Sequence, residues 1–256
     1  MISVIIPANN ESDNIQACLD TIAWADEIII VDSFSTDDTL TKIQQWSIAN
    51  PSVNVLVKQH VYEGPAAQKN WAIPQAAHEW VLLLDADERV SPELALELKT
   101  VSASPLVADA YSLPRHNFFN GKQIRHSGWG NDKVIRLIRR DTGRYPDVQV
   151  HEVIDTTHLR VARLNGALLH YTYKSIEHFT AKQKRYAIAS AHDHASRTGR
   201  ITLFHLWLKP AFRFFKHYIL QAGFLDGKEG YTISRLMALG VRWRYEELQK
   251  TQQTNK

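Results

Sequence analysis

One cysteine in 256 residues leaves no partner for an internal disulfide, which suits a reducing compartment. Cys18 falls between Ile15 and Ile22 at helical spacing and reads as a small core residue rather than a nucleophile. No run approaches the ~20 apolar residues needed to span a bilayer. The opening MISVIIPANNES lacks a basic start and reaches Pro7 too early for a secretion signal. Together these absences lead to the expectation of a cytoplasmic protein. No internal repeat or low-complexity segment is present. Each half is also poor in one sign of charge. Residues 1–110 hold 5 Lys/Arg against 16 Asp/Glu, and residues 111–256 hold 25 against 11, an asymmetry hidden by the overall +3. The acidic half suits a bound cation. The basic half suits an anionic partner: phosphate, a membrane surface or nucleic acid.

What is present is an alternation. SVIIP (3–7), EIIIVD (27–32), VNVLVK (53–58) and VLLLD (81–85) read as strands. Between and after them, 12–25, 35–50 and 91–101 read as helices, with Ser12, Ser35 and Ser91 at their starts and Pro92 in a first helical turn. Alternating strands and helices predict an α/β fold, with a mostly parallel central sheet covered on both faces. Beyond residue 110 the chain turns basic and aromatic. Strands are predicted at 133–141 and 164–173, and a helix at 175–199 with Ser175 as its cap. The expected division is a first domain over 1–198, itself made of halves 1–110 and 111–198, and a helical, basic and aromatic extension over 199–250.

In parallel sheets ligands bind beyond the carboxyl ends of the strands. Here those ends read PANNE, VDSFSTDD and LDADE. Asp85, Asp87 and Glu88 crowd together where an apolar run stops, and like charges there repel. A hard divalent cation, Mg²⁺ or Mn²⁺, would relieve the repulsion and bridge to substrate phosphates. In an extended segment Asp85 and Asp87 would share one face.

SVIIPANNES, IIIVDSFSTDDT and WVLLLDADERVSPEL resemble glycosyltransferase family 2, whose domain is the GT-A nucleotide-diphosphosugar fold. GWGNDKVIRLIRRDTGRYPDVQVHEVI and ALLHYTYKSIEHFTAKQKRYA resemble the branch of lipopolysaccharide-core β-1,4-glucosyltransferases. The likeness covers roughly residues 2–190, with its motifs in order. It implies that Pro7, Asn10 and Glu11 border the nucleotide, that Asp32 holds the uracil ring, and that Asp85 lies near ribose and metal. Asp87, with His170, would hold Mn²⁺ or Mg²⁺. Gly128 and Gly130 would leave room for donor and acceptor. Glu152 would be the catalytic base, in a His151-Glu152 pair that departs from the more usual acidic pair. The implied reaction is inverting transfer, of glucose in this branch, from a UDP-sugar to a lipopolysaccharide-core or other lipid-linked acceptor.

Other residues keep two readings. Lys69 points toward phosphate or is a solvated helix lysine. Arg136, Arg139 and Arg140 meet acceptor phosphates or form a basic strand edge. His192 and His194, two apart in a helix, lie on different faces and read as surface residues. The stretch 201–224 reads as a packed helix pair, or as an interfacial segment whose Lys209, Arg213 and Lys216 meet anionic headgroups. The second reading makes the protein peripheral on the inner face of the cell membrane. A nucleotidyltransferase is the alternative enzyme, disfavoured because PANNES offers neither glycine nor base for a triphosphate. A non-catalytic sugar-nucleotide-binding protein is the other, opposed by Asp87, Glu152 and His170. No nucleic-acid-binding motif is present.

Overall fold

Strand and helix alternate through the first hundred residues, and strands then dominate until three helices close the chain. In chain order the elements are β1 (Ile2–Ala8), α1 (Ile15–Asp20), β2 (Glu27–Asp32), α2 (Thr39–Ala49), β3 (Asn54–Gln59), α3 (Pro65–Ala72), β4 (Trp80–Leu83), β5 (Glu88–Val90) and α4 (Pro92–Ala103). They continue with β6 (Ala110–Phe119), β7 (Lys122–Gln123), β8 (Lys133–Arg139), β9 (Val161–Arg163), β10 (Leu168–Tyr173), α5 (Ile176–His194), α6 (Lys209–Phe215) and α7 (Lys228–Thr254). This computed structural model describes residues 1–104, 108–146, 153–173, 175–194 and 198–254. They form two compact units, Met1–Arg115 with Asp132–His170, and His116–Asn131 with Tyr171–Lys256.

The strand order in the sheet is β3-β2-β1-β4-β8-β6-β10-β5. The expected parallel sheet holds from β3 to β4. Beyond it the sheet is mixed, with β8 antiparallel to both β4 and β6, and β10 antiparallel to β5. The continuous apolar runs follow from burial on both faces. Val4, Ile6, Ile28, Ile30 and Leu82 pack with Ile15, Leu19 and Ile43 of α1 and α2, and with Leu94 and Leu98 of α4. Their neighbours Ile5, Ile29, Val31, Val81 and Leu83 pack with Ala66 and Ala72 of α3. Full burial of one such side chain contributes about 1.5–3 kcal/mol.

Local signals explain most helix starts. Ser91 Oγ accepts from Leu94 N at 3.2 Å, with Pro92 in the first turn of α4. Gly64, at φ 127°, precedes Pro65 and opens α3. Ser12 does not cap α1, which starts three residues later; its N–H instead donates to Asp37 Oδ2 at 3.1 Å.

The second unit is mainly helical. Ser175 Oγ accepts from His178 N at 3.1 Å and caps α5, as the sequence predicts. Phe119, Ile124 and Phe179 form its core with Ile233 and Leu236 of α7. Trp129, Tyr173, Phe179 and Phe119 make successive ring contacts in it, stacked between Tyr173 and Phe179 and edge-on between Phe179 and Phe119.

Candidate active site

Two loops leave the carboxyl ends of β1 and β2 side by side, because Ala8 and Asp32 are register partners. The loops are laced together. Asn9 Nδ2 donates to the Ser33 carbonyl at 2.7 Å, Asn10 N to Ser35 Oγ at 2.9 Å, and Glu11 N to Thr39 Oγ1 at 2.8 Å. Asn10 Oδ1 accepts from Thr36 N at 2.8 Å. Both loops carry a non-glycine residue in the left-handed region, Asn10 at φ 55° and Phe34 at φ 56°. Such backbones persist where surrounding bonds over-determine them, and they cluster at functional sites. Pro7 lies on β1 at this end, opposite Val31. Glu11 Oε2 accepts from Asn14 Nδ2 at 2.7 Å. Asp32 is fully buried. Its two oxygens accept from Ser35 N, each at 3.2 Å, and Gln59 Nε2 donates to Oδ2 at 3.2 Å, so the carboxylate shapes its own loop.

The acidic turn after β4 is built differently from the sequence expectation. The strand stops at Leu83 and a turn follows, with Glu88 N donating to the Asp85 carbonyl at 2.9 Å. Asp85 and Asp87 therefore do not alternate along an extended segment. Each has its own partners, and those of Asp85 come from the chain itself. Lys69 Nζ lies 3.0 Å from Asp85 Oδ1, and Arg136 donates to Oδ2. Arg136 also reaches the fully buried Glu88 at 2.8 Å, and Arg115 reaches it at 3.3 Å. Asp85 N donates to Glu88 Oε2 at 3.1 Å, and Arg115 bonds Asp132 at 2.8 Å. The apolar surroundings push the Asp85 pKa up, but Arg136 and Lys69 overcome this and hold the carboxyl well below the usual range. The crowding of acids is thus relieved internally by three cations.

Sequence reasoning singled out Lys69 and Arg136 but not their pairing with these carboxylates, and it missed Arg115. Lys69 is buried, not solvated, on α3, with the Tyr145 ring centroid 5.5 Å from its Nζ. Burial raises the Tyr145 phenol above its ordinary pKa. Asn70, next to Lys69, clamps the backbone of Tyr145 by two hydrogen bonds of 2.8 and 2.9 Å. Arg136 is a buried member of the network, whereas Arg139 and Arg140 pair at the edge with Glu79 and Asp141.

Asp87 lies beside a histidine. The pairing of β5 with β10 sets His170 opposite Glu88, and this puts His170 Nε2 3.4 Å from Asp87 Oδ2. Two donors ~2.1 Å from one octahedral cation, at adjacent corners, lie ~3 Å apart. That spacing is compatible with a shared divalent ion as well as with a direct His–Asp contact, and one carboxylate with one imidazole admits Mn²⁺ more readily than Mg²⁺. Among the described residues no cluster of three or more His, Cys, Asp or Glu is arranged to hold a metal. Water and substrate oxygens would complete the shell, as is usual for such ions.

Gly128 and Gly130 belong to the second unit, and packing there accounts for both. A Cβ on Gly128, at φ 82°, would meet Gln221, and one on Gly130 would meet the Arg125 carbonyl. His151 and Glu152 lie outside the described residues, as do the side chains of His192 and His194. Cys18 is buried beneath the acidic turn, and burial pushes its thiol pKa far up, consistent with a core residue.

The model of the family "Glycosyl transferase family 2" matches residues 3–164. A lipopolysaccharide core biosynthesis glycosyltransferase, LpsC of Rhizobium meliloti, is 26% identical over 95% of this chain and 93% of its own length. An uncharacterized glycosyltransferase of Rickettsia felis is 27% identical over 98% of this chain and 90% of its own. Among solved structures, the mannosyltransferase PcManGT of Pyrobaculum calidifontis, in complex with GDP-Man and Mn²⁺, aligns with a TM-score of 0.56 at 18% identity, covering 97% of this chain and 87% of that one. TarS of S. aureus, residues 1–349 in complex with UDP, aligns with a TM-score of 0.51 at 18% identity, covering 100% and 92%. These likenesses establish the GT-A fold.

Proposed function

The chain belongs to glycosyltransferase family 2, and we propose that it transfers glucose, with inversion, from a UDP-sugar to a lipopolysaccharide-core or other lipid-linked glycan at the inner face of the cell membrane. The observation that carries this reading is the Asp87–His170 pair, 3.4 Å apart beside a charge-fixed Asp85. The likeness to LpsC over nearly the whole chain supports the acceptor class. The strand-end motifs support the uridine donor.

In this reading Pro7, Asn10 and Glu11 border the nucleotide, and Asp32 reads the base from the end of β2. Asp85, kept ionised by Lys69 and Arg136, stands beside the ribose. Asp87 and His170 hold Mn²⁺ or Mg²⁺, which when bound neutralises charge gathering on the departing diphosphate. Glu152 accepts the proton of the attacking acceptor hydroxyl. Gly128 and Gly130 belong to the loop beside donor and acceptor. A nucleotidyltransferase or a purely binding role would use the same nucleotide edge without needing Glu152.

The test is transfer from a panel of UDP-sugars and GDP-mannose, with Mn²⁺ or with chelator. We expect UDP-glucose to be the preferred donor. Asp87→Ala should lower turnover by roughly 10²-fold or more while the protein stays folded. Full activity in chelator, or in Asp87→Ala, would overturn the metal assignment. Failure to turn over any nucleotide sugar would overturn the whole reading.

A further inference from the structure

Residues 203–220 form one continuous helical stretch, with π-helical turns at Phe204–Leu208 and Lys216–Leu220 flanking α6. Its exposed residues recur in pairs every four positions: 203–204, 207–208, 211–212, 215–216 and 219–220. An α-helix turns ~100° per residue, so a four-residue repeat drifts ~40° each time and would wind around the helix. The wider π turns rotate less per residue and cancel much of that drift. The stripe therefore stays on one side. Leu203, Phe204, Trp207, Leu208, Phe212, Phe215, Ile219 and Leu220 occupy eight of its ten positions, all between 45% and 73% exposed. Phe224, Leu225 and Tyr231, which follow in the sequence, are exposed as well.

We propose that this stripe is a membrane-insertion face, lying in the plane of an anionic bilayer with its aromatic and aliphatic side chains below the headgroups. Charge selects this occupant. Residues 198–225 contain Arg200, Lys209, Arg213 and Lys216 and no Asp or Glu, while the acids that follow, Asp226 and Glu229, are buried. A second copy seated on the face across a two-fold axis would bring like charge against like. The bases do not all meet headgroups, however. Lys209 Nζ donates to Tyr245 Oη at 2.8 Å, and Arg213 is only partly exposed. Exposed Lys216 lies within the stripe, and exposed Arg200 and Lys228 lie in the sequence on either side of it. Apolar insertion thus dominates and charge assists. No helix of the described residues is long and apolar enough to cross a membrane, so the segment lies on the surface rather than spanning it. The docking stands apart from the catalytic reading, since it uses none of the proposed site residues.

The experiment is co-sedimentation of the full chain with vesicles of phosphatidylcholine alone and with added phosphatidylglycerol. The parent should bind the anionic vesicles more tightly. Leu208→Glu, Phe212→Glu and Leu220→Glu together should weaken that binding by roughly tenfold or more, and raised salt should weaken it less. All three positions are well exposed, and circular dichroism checks the fold. Brominated acyl chains should quench tryptophan emission in the parent, and Trp207→Phe should remove most of that quenching. A parent left in the supernatant, a triple variant that binds like the parent, or emission untouched by brominated lipid would each overturn the proposal. So would a parent dimer that the triple variant splits with vesicle binding intact, since the face would then join two copies. Vesicle binding without donor turnover would leave this inference standing and sink the catalytic one.

Discussion

Arg136 reaches Asp85 and Glu88 with one guanidinium nitrogen, and Lys69 takes the other oxygen of Asp85. Removing one member of a buried ionic network leaves a desolvated charge, which costs far more than an exposed pair is worth. Arg136 is buried and serves both carboxylates, whereas Asp85 keeps Arg136 when Lys69 is lost. Arg136→Met should therefore destabilise by roughly 3 kcal/mol or more, and Lys69→Met by about half as much. Urea denaturation measures both. An Arg136→Met protein as stable as the parent would show that the network does not hold the turn. The carboxylates were legible in the sequence; their partners were not. Lys69 lies 16 residues before Asp85 and Arg136 lies 51 after it, and only the fold brings them together. Lys69 sits in GPAAQKNWAIPQ, where two prolines hide the helical period of α3. His170 was legible from family likeness alone, because its place beside Asp87 depends on the three-residue strand β5.

The parallel strands were legible as elements, since burial on both faces leaves an apolar run with clear ends; β2 matches its predicted span, 27–32. Helix starts were less so, because serine makes caps and loop bonds alike. Ser35 was read as opening α2, which begins at Thr39; Ser35 Oγ accepts instead from Asn10 N. The N-cap position is Asp38, whose side chain makes no cap bond, and Asp37 before it satisfies the first helical N–H instead. Its Oδ1 accepts from Thr39 N at 3.0 Å and its Oδ2 from Ser12 N at 3.1 Å, tying α2 to the first loop. Slight desolvation would raise the Asp37 pKa, but the bonds from Thr39 and Ser12 lower it from 3.8 to about 2. A folded pKa below the unfolded one means stability that is present above about pH 4 and lost as pH falls toward 2. Asp37→Asn should cost about 0.5–1 kcal/mol near neutrality. The gap between variant and parent should close by about pH 2. Urea midpoints across that range check the sign, and a gap that widens in acid would refute the role given to the carboxylate.

At the scale of the whole molecule, the proposed nucleotide edge belongs to the unit of Met1–Arg115 with Asp132–His170, and the apolar stripe to the unit of His116–Asn131 with Tyr171–Lys256. Two such units need not melt together, and multi-unit chains often depart from two-state behaviour. A ligand that binds only the native state stabilises it by ~2.7 kcal/mol at a hundred times its Kd. For a chain of this size each kcal/mol moves the midpoint by ~2–4 °C, so UDP with Mn²⁺ should raise it by about 5–10 °C. If calorimetry resolves two transitions, that of the first unit should move most, because Asp32, Asp85, Asp87 and His170 all lie there. The full shift should need both components, since in the proposed reading the cation would link the Asp87–His170 pair to the diphosphate. Asp87→Ala should keep only the smaller shift given by UDP alone. An equal shift in chelator would separate the nucleotide from the cation and remove Asp87 from donor binding. A shift confined to the second unit's transition would place the nucleotide away from the strand ends.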